Sequence, residues 1–180
     1  MEDIVSDQNH PNQWFARAAG LRAGAACIWL SIRGRAEETR EFLGEPVGFS
    51  TALAARPSYH LLCGLAIEVL FKAILVSRGK NPANTHDSVL LAKEVGLATS
   101  PIDVELLKFY ASTVVWAAKY PTSRKGEAEM ISYWENAGDV LTTSEPVPSS
   151  HWIRKIGSSG RTDWPSFAEL YSRIAALRQA

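Results

Sequence analysis

Apolar side chains recur at helical spacing in the first part of the chain. Between Asn12 and Arg33 they are separated alternately by four and three positions, as on one face of an amphipathic helix. These apolar residues are Trp14, Ala18, Leu21, Ala25, Ile28 and Ile32. The segment from Arg35 to Phe42 is highly charged but contains good helix formers. It predicts a continuation of this helix or a short second helix.

A second long helix is predicted to begin near Pro57 or Ser58, because proline suits the first turn, and to end at Arg78 before a glycine. It is apolar around almost its whole circumference, which is typical of a helix at the centre of a bundle. The stretch from Leu61 to Val76 carries charges near its middle, so we expect it to be too short and too charged to span a bilayer. The polar or small positions on this helix are four residues apart: His60, Gly64, Glu68 and Lys72.

Two shorter helices follow, each with its own start and stop signals. Thr85 is placed to cap a helix that continues through Val95, where a glycine follows. The next helix is predicted to start at Ser100, because a hydroxyl at the cap, a proline at the first position and Asp103 at the third all favour a helix N-terminus. It should end near Lys119, since a proline two positions later prevents continuation.

The region from 122 to 162 is the hardest to assign. It is rich in serine, glycine and proline, and only a segment near Glu127 to Val140 has an ambiguous pattern. We predict a long irregular loop or excursion, in which Trp134 and Trp152 favour packing over disorder.

A last helix is predicted from Trp164 to Gln179, capped by Asp163 and marked by a single apolar stripe. No strand pattern competes with these helices anywhere in the chain. The predicted fold class is therefore all-α.

Composition agrees with a single domain over residues 1–180, because 46% of the residues are hydrophobic and can form a sizeable core. Nineteen basic residues balance nineteen acidic ones, so no global field draws the protein toward nucleic acid or membrane. The polar tail over residues 1–11 lacks the order of a secretory signal, which predicts a cytoplasmic protein. Cys27 and Cys63 lie in apolar helical patterns, and we expect both to be buried rather than disulfide-bonded.

Three segments in the middle of the chain, taken together, resemble a known family. The first runs from Leu62 to Leu75 and contains Glu68 and Lys72. The second is Thr85-His86-Asp87, followed by two leucines, and the third runs from Trp116 to Pro121. Their order and separation are similar to those of the HEPN family. The resemblance implies an up-and-down bundle of four or five helices, a homodimer, a defence or toxin–antitoxin setting, and a nucleotidyltransferase as one option for a partner.

The chain departs from the family at its best-known activity. Catalytic HEPN ribonucleases carry an arginine, four to six intervening residues and then a histidine. The four histidines here are His10, His60, His86 and His151, and none follows an arginine at that spacing. In the third segment Lys119 stands where the family has arginine, which keeps the charge but loses the bidentate fork that recognises phosphate. The resemblance therefore supports the fold and argues against the nuclease.

Glu68 and Lys72 are costly in an apolar helix unless they are paired. We expect an internal ion pair, and the alternative is the polar floor of a groove or dimer seam. His86 and Asp87 lie at a helix start, where capping is expected. If the protein is instead a divergent, metal-independent ribonuclease, His86 and His151 are its candidate catalytic residues.

Basic and aromatic residues cluster in two places, where charge and stacking could bind a nucleotide or RNA. The predicted ligand-binding residues are Lys119, Tyr120, Arg124, Lys125, Arg154 and Arg161, the last two near Trp152 and Trp164. No glycine-rich phosphate loop, Gly-x-Ser-x-Gly elbow or zinc-binding pair occurs, so no cofactor or metal is predicted. The sequence favours a non-catalytic nucleotide- or RNA-binding module. The alternatives are a divergent HEPN ribonuclease and a homodimeric interaction scaffold.

Overall fold

The structure is a computed structural model that describes residues 10–146 and 152–179. Within these ranges the chain forms seven α-helices and one pair of short strands, so the predicted all-α class is confirmed. The helices are α1 (Pro11–Gly34), α2 (Ala36–Phe42), α3 (Thr51–Ser77), α4 (Ser88–Val95), α5 (Pro101–Ser112), α6 (Glu127–Leu141) and α7 (Trp164–Ala176). The strands are β1 (Thr142–Pro146) and β2 (Arg154–Ser158), a π-helical turn (Thr113–Ala117) continues α5, and a 3₁₀ turn (Leu177–Gln179) continues α7. Residues 1–9 of the polar tail and His151 lie outside the described residues.

The long helix α3 begins earlier than its sequence predicts. It starts at Thr51, so that Pro57 lies inside it rather than in its first turn. The Ser50 hydroxyl accepts a hydrogen bond from the N–H of Leu53 at 3.3 Å and caps the helix. The prediction of the start was wrong because an internal proline removes only one intrahelical hydrogen bond, and the packing of this helix outweighs that loss.

α3 lies at the centre of the molecule, as its all-round apolar pattern predicts. It runs antiparallel to α1, with the ring centroids of Trp29 and Tyr59 5.3 Å apart, and it also contacts α2, α4, α5 and α7. By length and composition alone α3, with 27 residues, could cross a membrane, because the helix extends beyond the apolar stretch from Leu61 to Val76 on which the expectation was based. However, 61% of its apolar 18-residue window is buried inside the molecule, which agrees with a core helix.

A glycine sets the distance between α3 and α5. A Cβ atom on Gly64 would lie 2.8 Å from the carbonyl oxygen of Tyr110 and 2.9 Å from Val114 Cγ2. Nearby, the Thr113 hydroxyl donates a hydrogen bond to the same Tyr110 carbonyl at 2.7 Å, at the first residue of the π-helical turn. The backbone of α5 therefore approaches α3 at a position where only glycine fits.

The helix caps agree with the predictions in part. Ser100 and Asp103 form the reciprocal capping box at the start of α5, as expected. At α4 the cap is Asp87 rather than Thr85: the Asp87 carboxylate accepts hydrogen bonds from two backbone N–H groups, while the Thr85 hydroxyl accepts one from the N–H of Asp87. Asp163 precedes α7, but its side chain makes no cap hydrogen bond, and its carboxylate instead accepts one from Arg33 of α1 at 2.6 Å.

The predicted irregular region from 122 to 162 contains regular structure. It holds the 15-residue helix α6 and an antiparallel hairpin in which Ser144 lies opposite Ile156. In the described part, the segment with the ambiguous pattern is therefore α6, and the expectation that no strands form was wrong. The sequence pattern does not predict these strands, because their residues are mostly polar and exposed and do not alternate between apolar and polar positions.

Two tryptophans expected to favour packing are largely exposed, and one cysteine expected to be buried is not. Trp134 on α6 is 57% exposed, and Trp152, two residues before β2, is 94% exposed. Cys63 is buried as expected, but Cys27 lies on the outer side of α1 and is exposed. The sequence shows that these residues are apolar, but their exposure depends on how α1, α6 and the hairpin pack in the fold.

Candidate functional site

A buried carboxylate joins the central helix to the segment before α4. Glu68 of α3 is 4% exposed. One carboxylate oxygen, Oε1, accepts a hydrogen bond from Lys72 Nζ at 2.7 Å, and the other, Oε2, lies 2.9 Å from His86 Nδ1. The ion pair expected from the four-residue spacing is therefore present, and it has a third member that the spacing did not reveal. We call Glu68, Lys72 and His86 the polar cluster.

The three members of the polar cluster differ in their access to solvent. The side chain of Lys72 is 13% exposed, whereas that of His86 is 55% exposed. His86 is held in place because the next residue, Asp87, caps α4 and fixes the backbone. With Nδ1 facing Glu68, the Nε2 atom is the ring nitrogen that remains for another partner. A carboxylate that orients a half-exposed imidazole is an arrangement suited to proton transfer.

The surroundings of His86 offer little enclosure for a substrate. A hollow of about 600 Å³ lies beside Asp87 on the surface of α4, and its walls include Leu90 and Lys93 but not His86. Among the described residues, no group of three or more histidine, cysteine, aspartate and glutamate side chains could hold a metal ion. The chemistry available at His86 is therefore that of a single oriented base or acid.

His60 lies on the same helix but has the opposite environment. Its ring is buried against the edge of Phe109, with the centroids 5.0 Å apart. Burial, with a smaller contribution from the nearby positive charge of Arg56, lowers the pKa of His60 to about 4. The imidazole is therefore neutral at physiological pH and belongs to the core.

The first group of predicted ligand-binding residues lies where the π-helical turn ends and the chain leads into α6. Lys119, Tyr120, Arg124 and Lys125 are all exposed there. Lys119 Nζ lies 5.7 Å from the centroid of the Tyr120 ring, and Lys125 Nζ lies 3.3 Å from the Glu129 carboxylate. We call these four residues the helix-end group.

The second group lies at the other end of α5. The Arg161 guanidinium is 3.4 Å from the carboxylate of Glu105 and donates a hydrogen bond to the carbonyl of Asp139 at the end of α6. The rest of α5 and the π-helical turn separate Glu105 from the segment that holds Lys119, which corresponds to roughly 15–20 Å. The six predicted ligand-binding residues are therefore divided between two separate places on the surface.

The hairpin extends the second group. Arg154 at the start of β2 donates hydrogen bonds to both the hydroxyl and the carbonyl of Ser144 on β1, which fixes its guanidinium against the strand pair. Lys155 is opposite Glu145 in the register. Trp164 does not join this group, because it packs on the buried Phe167 and lies under the guanidinium of Arg22.

Exposed apolar side chains on the hairpin were missed from the sequence. Ile153 is 60% exposed and Ile156 is 72% exposed, and both lie close to Trp152 in the chain. The signal that could have found them is the run from 152 to 156, in which one aromatic and two β-branched residues flank two cations. We call Trp152, Ile153, Arg154, Lys155 and Ile156 the hairpin group.

Comparisons with protein-family models, with curated proteins and with solved structures found no match for this chain. The all-α architecture and the geometry of the three groups are therefore the findings on which a function has to be based.

Proposed function

We propose that this chain is a non-catalytic RNA-binding module with a HEPN-like fold, and that the hairpin group binds single-stranded RNA. The observation that carries the proposal is the exposure of Trp152, 94%, next to the two cations Arg154 and Lys155 on a narrow strand pair. An exposed indole provides a flat surface on which a base can stack, and each stacked base contributes about 1–3 kcal/mol. Cations beside it can contact the phosphates on either side of that base.

The open shape of the hairpin favours a strand of RNA over a free nucleotide. Nine of the ten strand residues are exposed, and Gly157 is the tenth. A mononucleotide site is usually a concave pocket that surrounds the ligand. A protruding strand pair instead suits an extended ligand that lies along it and gains a contact at each base.

The charge balance of the protein supports a local contact of this kind. Because the formal net charge is zero, attraction to RNA has to come from a few neighbouring cations. If Arg154 and Lys155 each neutralise one phosphate, the logarithm of affinity should fall with the logarithm of salt concentration with a slope of about −1.4. The helix-end group, roughly 15–20 Å from Glu105 along α5 and the π-helical turn, would then be a second contact for a longer strand.

The test is fluorescence anisotropy with labelled single-stranded RNA of two lengths, against wild type and variants. We expect Trp152→Ala and the double variant Arg154→Ala/Lys155→Ala each to weaken binding at least tenfold. Trp134→Ala is the matched control, because Trp134 is also an exposed tryptophan but lies on α6 with no adjacent cation. Its affinity should equal that of wild type.

Two outcomes would contradict the proposal. The proposal would be contradicted if wild type bound neither RNA length at low salt. It would also be contradicted if Trp134→Ala and Trp152→Ala lowered the affinity for RNA equally. Competition by ATP at stoichiometric concentration would indicate a nucleotide site in place of an RNA site. The defence or toxin–antitoxin setting and the nucleotidyltransferase partner are further parts of the proposal, and they rest on the HEPN resemblance alone. The cytoplasmic location is also part of the proposal and rests on the polar pattern of residues 1–11.

The polar cluster favours one alternative, a divergent metal-independent ribonuclease. The supporting observation is the 2.9 Å contact of His86 Nδ1 with a Glu68 oxygen, which orients a half-exposed ring as a general base would require. Under this alternative RNA is cleaved in the presence of EDTA, and His86→Asn abolishes the cleavage. His10→Asn is the control, since asparagine retains the cap that His10 provides to α1. Cleavage that survives His86→Asn but not His151→Asn would assign the reaction to His151.

A further inference from the structure

A groove of about 590 Å³ lies between the first half of α1 and the middle of α3. Apart from Gln13 and Arg17 of α1, the described residues that line it are aliphatic, aromatic or glycine. A small-molecule site is usually mostly apolar with a few polar groups, and its volume is of this order. We call it the α1–α3 groove. Four of its apolar or glycine positions are Gly20, Gly24, Leu62 and Val69.

The two polar side chains lie at one end of the α1–α3 groove. Gln13 and Arg17 are one turn apart, and Gly24 is about 10 Å further along α1 at 1.5 Å per residue. At the far end the groove adjoins α3, since a Cβ atom on Gly24 would lie 3.2 Å from Leu62 Cδ1. Because α1 and α3 are antiparallel, Val69, two turns beyond Leu62, is level with Arg17. The groove therefore has a polar end and an apolar length.

Arg17 supplies a positive charge that the described chain does not neutralise. Its side chain is exposed, and none of the ion pairs between described residues involves it. Gln13 lies one turn away on the same face, so its amide can donate a hydrogen bond to a ligand bound at Arg17. No described residue that lines the groove is a carboxylate. The chemistry that complements the groove is a single negative charge followed by an apolar chain.

We propose that the α1–α3 groove binds a fatty acid, with the carboxylate at Arg17 and the alkyl chain extending past Gly20 toward Leu62. This site goes beyond the RNA-binding function and does not depend on it. A guanidinium can form two parallel hydrogen bonds with one carboxylate. A phosphate head group carries up to about two negative charges and has three acceptor oxygens, so a single arginine complements it less well.

The apolar length of the groove suits an alkyl chain of medium length. An extended chain advances roughly 1.3 Å for each C–C bond of about 1.5 Å, so about eight carbons cover the distance of about 10 Å from Arg17 to Gly24. Between these residues, a Cβ atom on Gly20 would have no atom within 4 Å outside its own helix turn. The glycine thus leaves open the space that the alkyl chain occupies.

The test is isothermal titration calorimetry of the full chain with hexanoate, octanoate, decanoate and dodecanoate, each below its micelle concentration. Wild type should bind decanoate with a dissociation constant below about 1 mM. The affinity should rise about two- to fourfold for each added methylene group up to roughly eight to ten carbons, and then level off where the groove ends. A constant rise through dodecanoate would indicate nonspecific adsorption and would overturn the proposal.

Gly20→Leu fills the groove and should abolish the binding of decanoate. Its thermal unfolding, followed by circular dichroism, should occur at the wild-type temperature or above, because leucine favours a helix more than glycine does. Gly138→Leu is the matched control and should bind as wild type does, since Gly138 is a helical glycine of α6 with the same open space around it. Wild type that binds none of the four acids would overturn the proposal, and so would a Gly20→Leu variant with wild-type affinity.

Arg17→Gln tests the head group. It should weaken the binding of octanoate about tenfold and leave that of octan-1-ol unchanged, because the alcohol carries no charge. Arg124→Gln removes an exposed arginine outside the groove and should change neither affinity. Equal losses for the acid and the alcohol would contradict the proposal, as would equal wild-type affinities for octanoate and octyltrimethylammonium. A wild-type dimer in light scattering that Gly20→Leu dissociates would assign the groove to a second copy of the chain instead.

Discussion

Glu68 is the buried residue that connects the members of the polar cluster. Its carboxylate has partners from two elements, Lys72 one turn along α3 and His86 before α4. Removing one member of a buried ion pair leaves the other charge without a partner in a low-dielectric environment, which costs more than the pair itself contributes. The polar cluster therefore links the register of α3 to the position of the segment before α4.

We predict that Glu68→Leu lowers the free energy of unfolding by about 2–4 kcal/mol, somewhat less than for a fully buried pair, because the Lys72 side chain retains some access to water. The double variant Glu68→Leu/Lys72→Met should recover more than half of that loss. Urea unfolding monitored by circular dichroism measures both. The surface pair Lys125 and Glu129, in which Lys125 is exposed, is the control, and its removal should change stability by less than about 1 kcal/mol.

His60 makes the free energy of unfolding of this protein depend on pH. Burial and Arg56 lower its pKa to about 4, while the unfolded chain has an ordinary histidine pKa near 6.5. Between these values the unfolded state binds a proton that the native state does not, so stability must fall as the pH falls. The shift of the His60 pKa from about 6.5 to about 4 corresponds to a decrease of about 3 kcal/mol in the free energy of unfolding.

Urea midpoints measured from pH 7 to pH 4 should therefore decrease steadily in wild type. His60→Gln lacks the titrating ring, and most of this slope should be absent from it. Burial raises the pKa of Asp103, but hydrogen bonds from Arg173 and Ser100 outweigh it and leave the pKa lowered. Protonation of Asp103 therefore decreases stability further only at still lower pH. An identical slope in wild type and His60→Gln would show that the ring is solvated in solution.

At the scale of elements, two helical glycines have opposite surroundings. Gly64 of α3 lies against the backbone of α5, whereas a Cβ atom on Gly20 of α1 would have no atom within 4 Å outside its own helix turn. Glycine inside a helix costs about 1 kcal/mol relative to alanine. That cost is offset by close packing at Gly64 but not by any contact within the described chain at Gly20.

We predict that Gly64→Ala lowers the free energy of unfolding by about 2–3 kcal/mol, because the added methyl group forces α3 and α5 apart. Gly20→Ala should raise it by up to about 1 kcal/mol. The two substitutions are chemically identical, so differential scanning calorimetry of the pair isolates the effect of packing. Equal effects of the same sign would mean that α5 is not held against α3 at this distance.

At the scale of the whole molecule, α3 is the element that the others share. Its residues from Ala66 to Leu75 are nearly all buried, whereas β1 and β2 expose most of their residues and, among the described residues, pair only with each other. Isolated strand pairs are marginally stable in water. The molecule should therefore have a stable centre and a hairpin that opens readily.

Hydrogen exchange followed by mass spectrometry should show this gradient. We expect the slowest amide exchange in peptides from Ala66 to Leu75, at rates set by global unfolding, and exchange at least a hundredfold faster in β1 and β2. If single-stranded RNA binds the hairpin group, saturating RNA should slow exchange in the strands alone. Strands as protected as α3 without RNA would contradict the description of the hairpin as an independent unit.

Much of the architecture could be predicted from local patterns. The stripe on α1, the apolar circumference of α3, the capping box of Ser100 and Asp103, and the glycine that ends α4 all act within a few residues of one another. The bond between Glu68 and Lys72 follows from the same locality, since residues four apart face each other on a helix. Local signals were ambiguous at Pro57 and misleading at Thr85, where a neighbouring residue provides the cap.

The sequence by itself determined that the chain is helical, that α3 is its core, and that Glu68 and Lys72 pair. The tertiary structure alone decided that His86 joins them, that α6 and the hairpin occupy the region from 122 to 162, and that the basic residues are divided between two ends of α5. The physical reason is the distance along the chain over which each interaction acts. Helix periodicity and capping depend on residues that are neighbours in the sequence. The exposure of Phe42 and Trp152 and the burial of Arg40 depend instead on which helices meet in space.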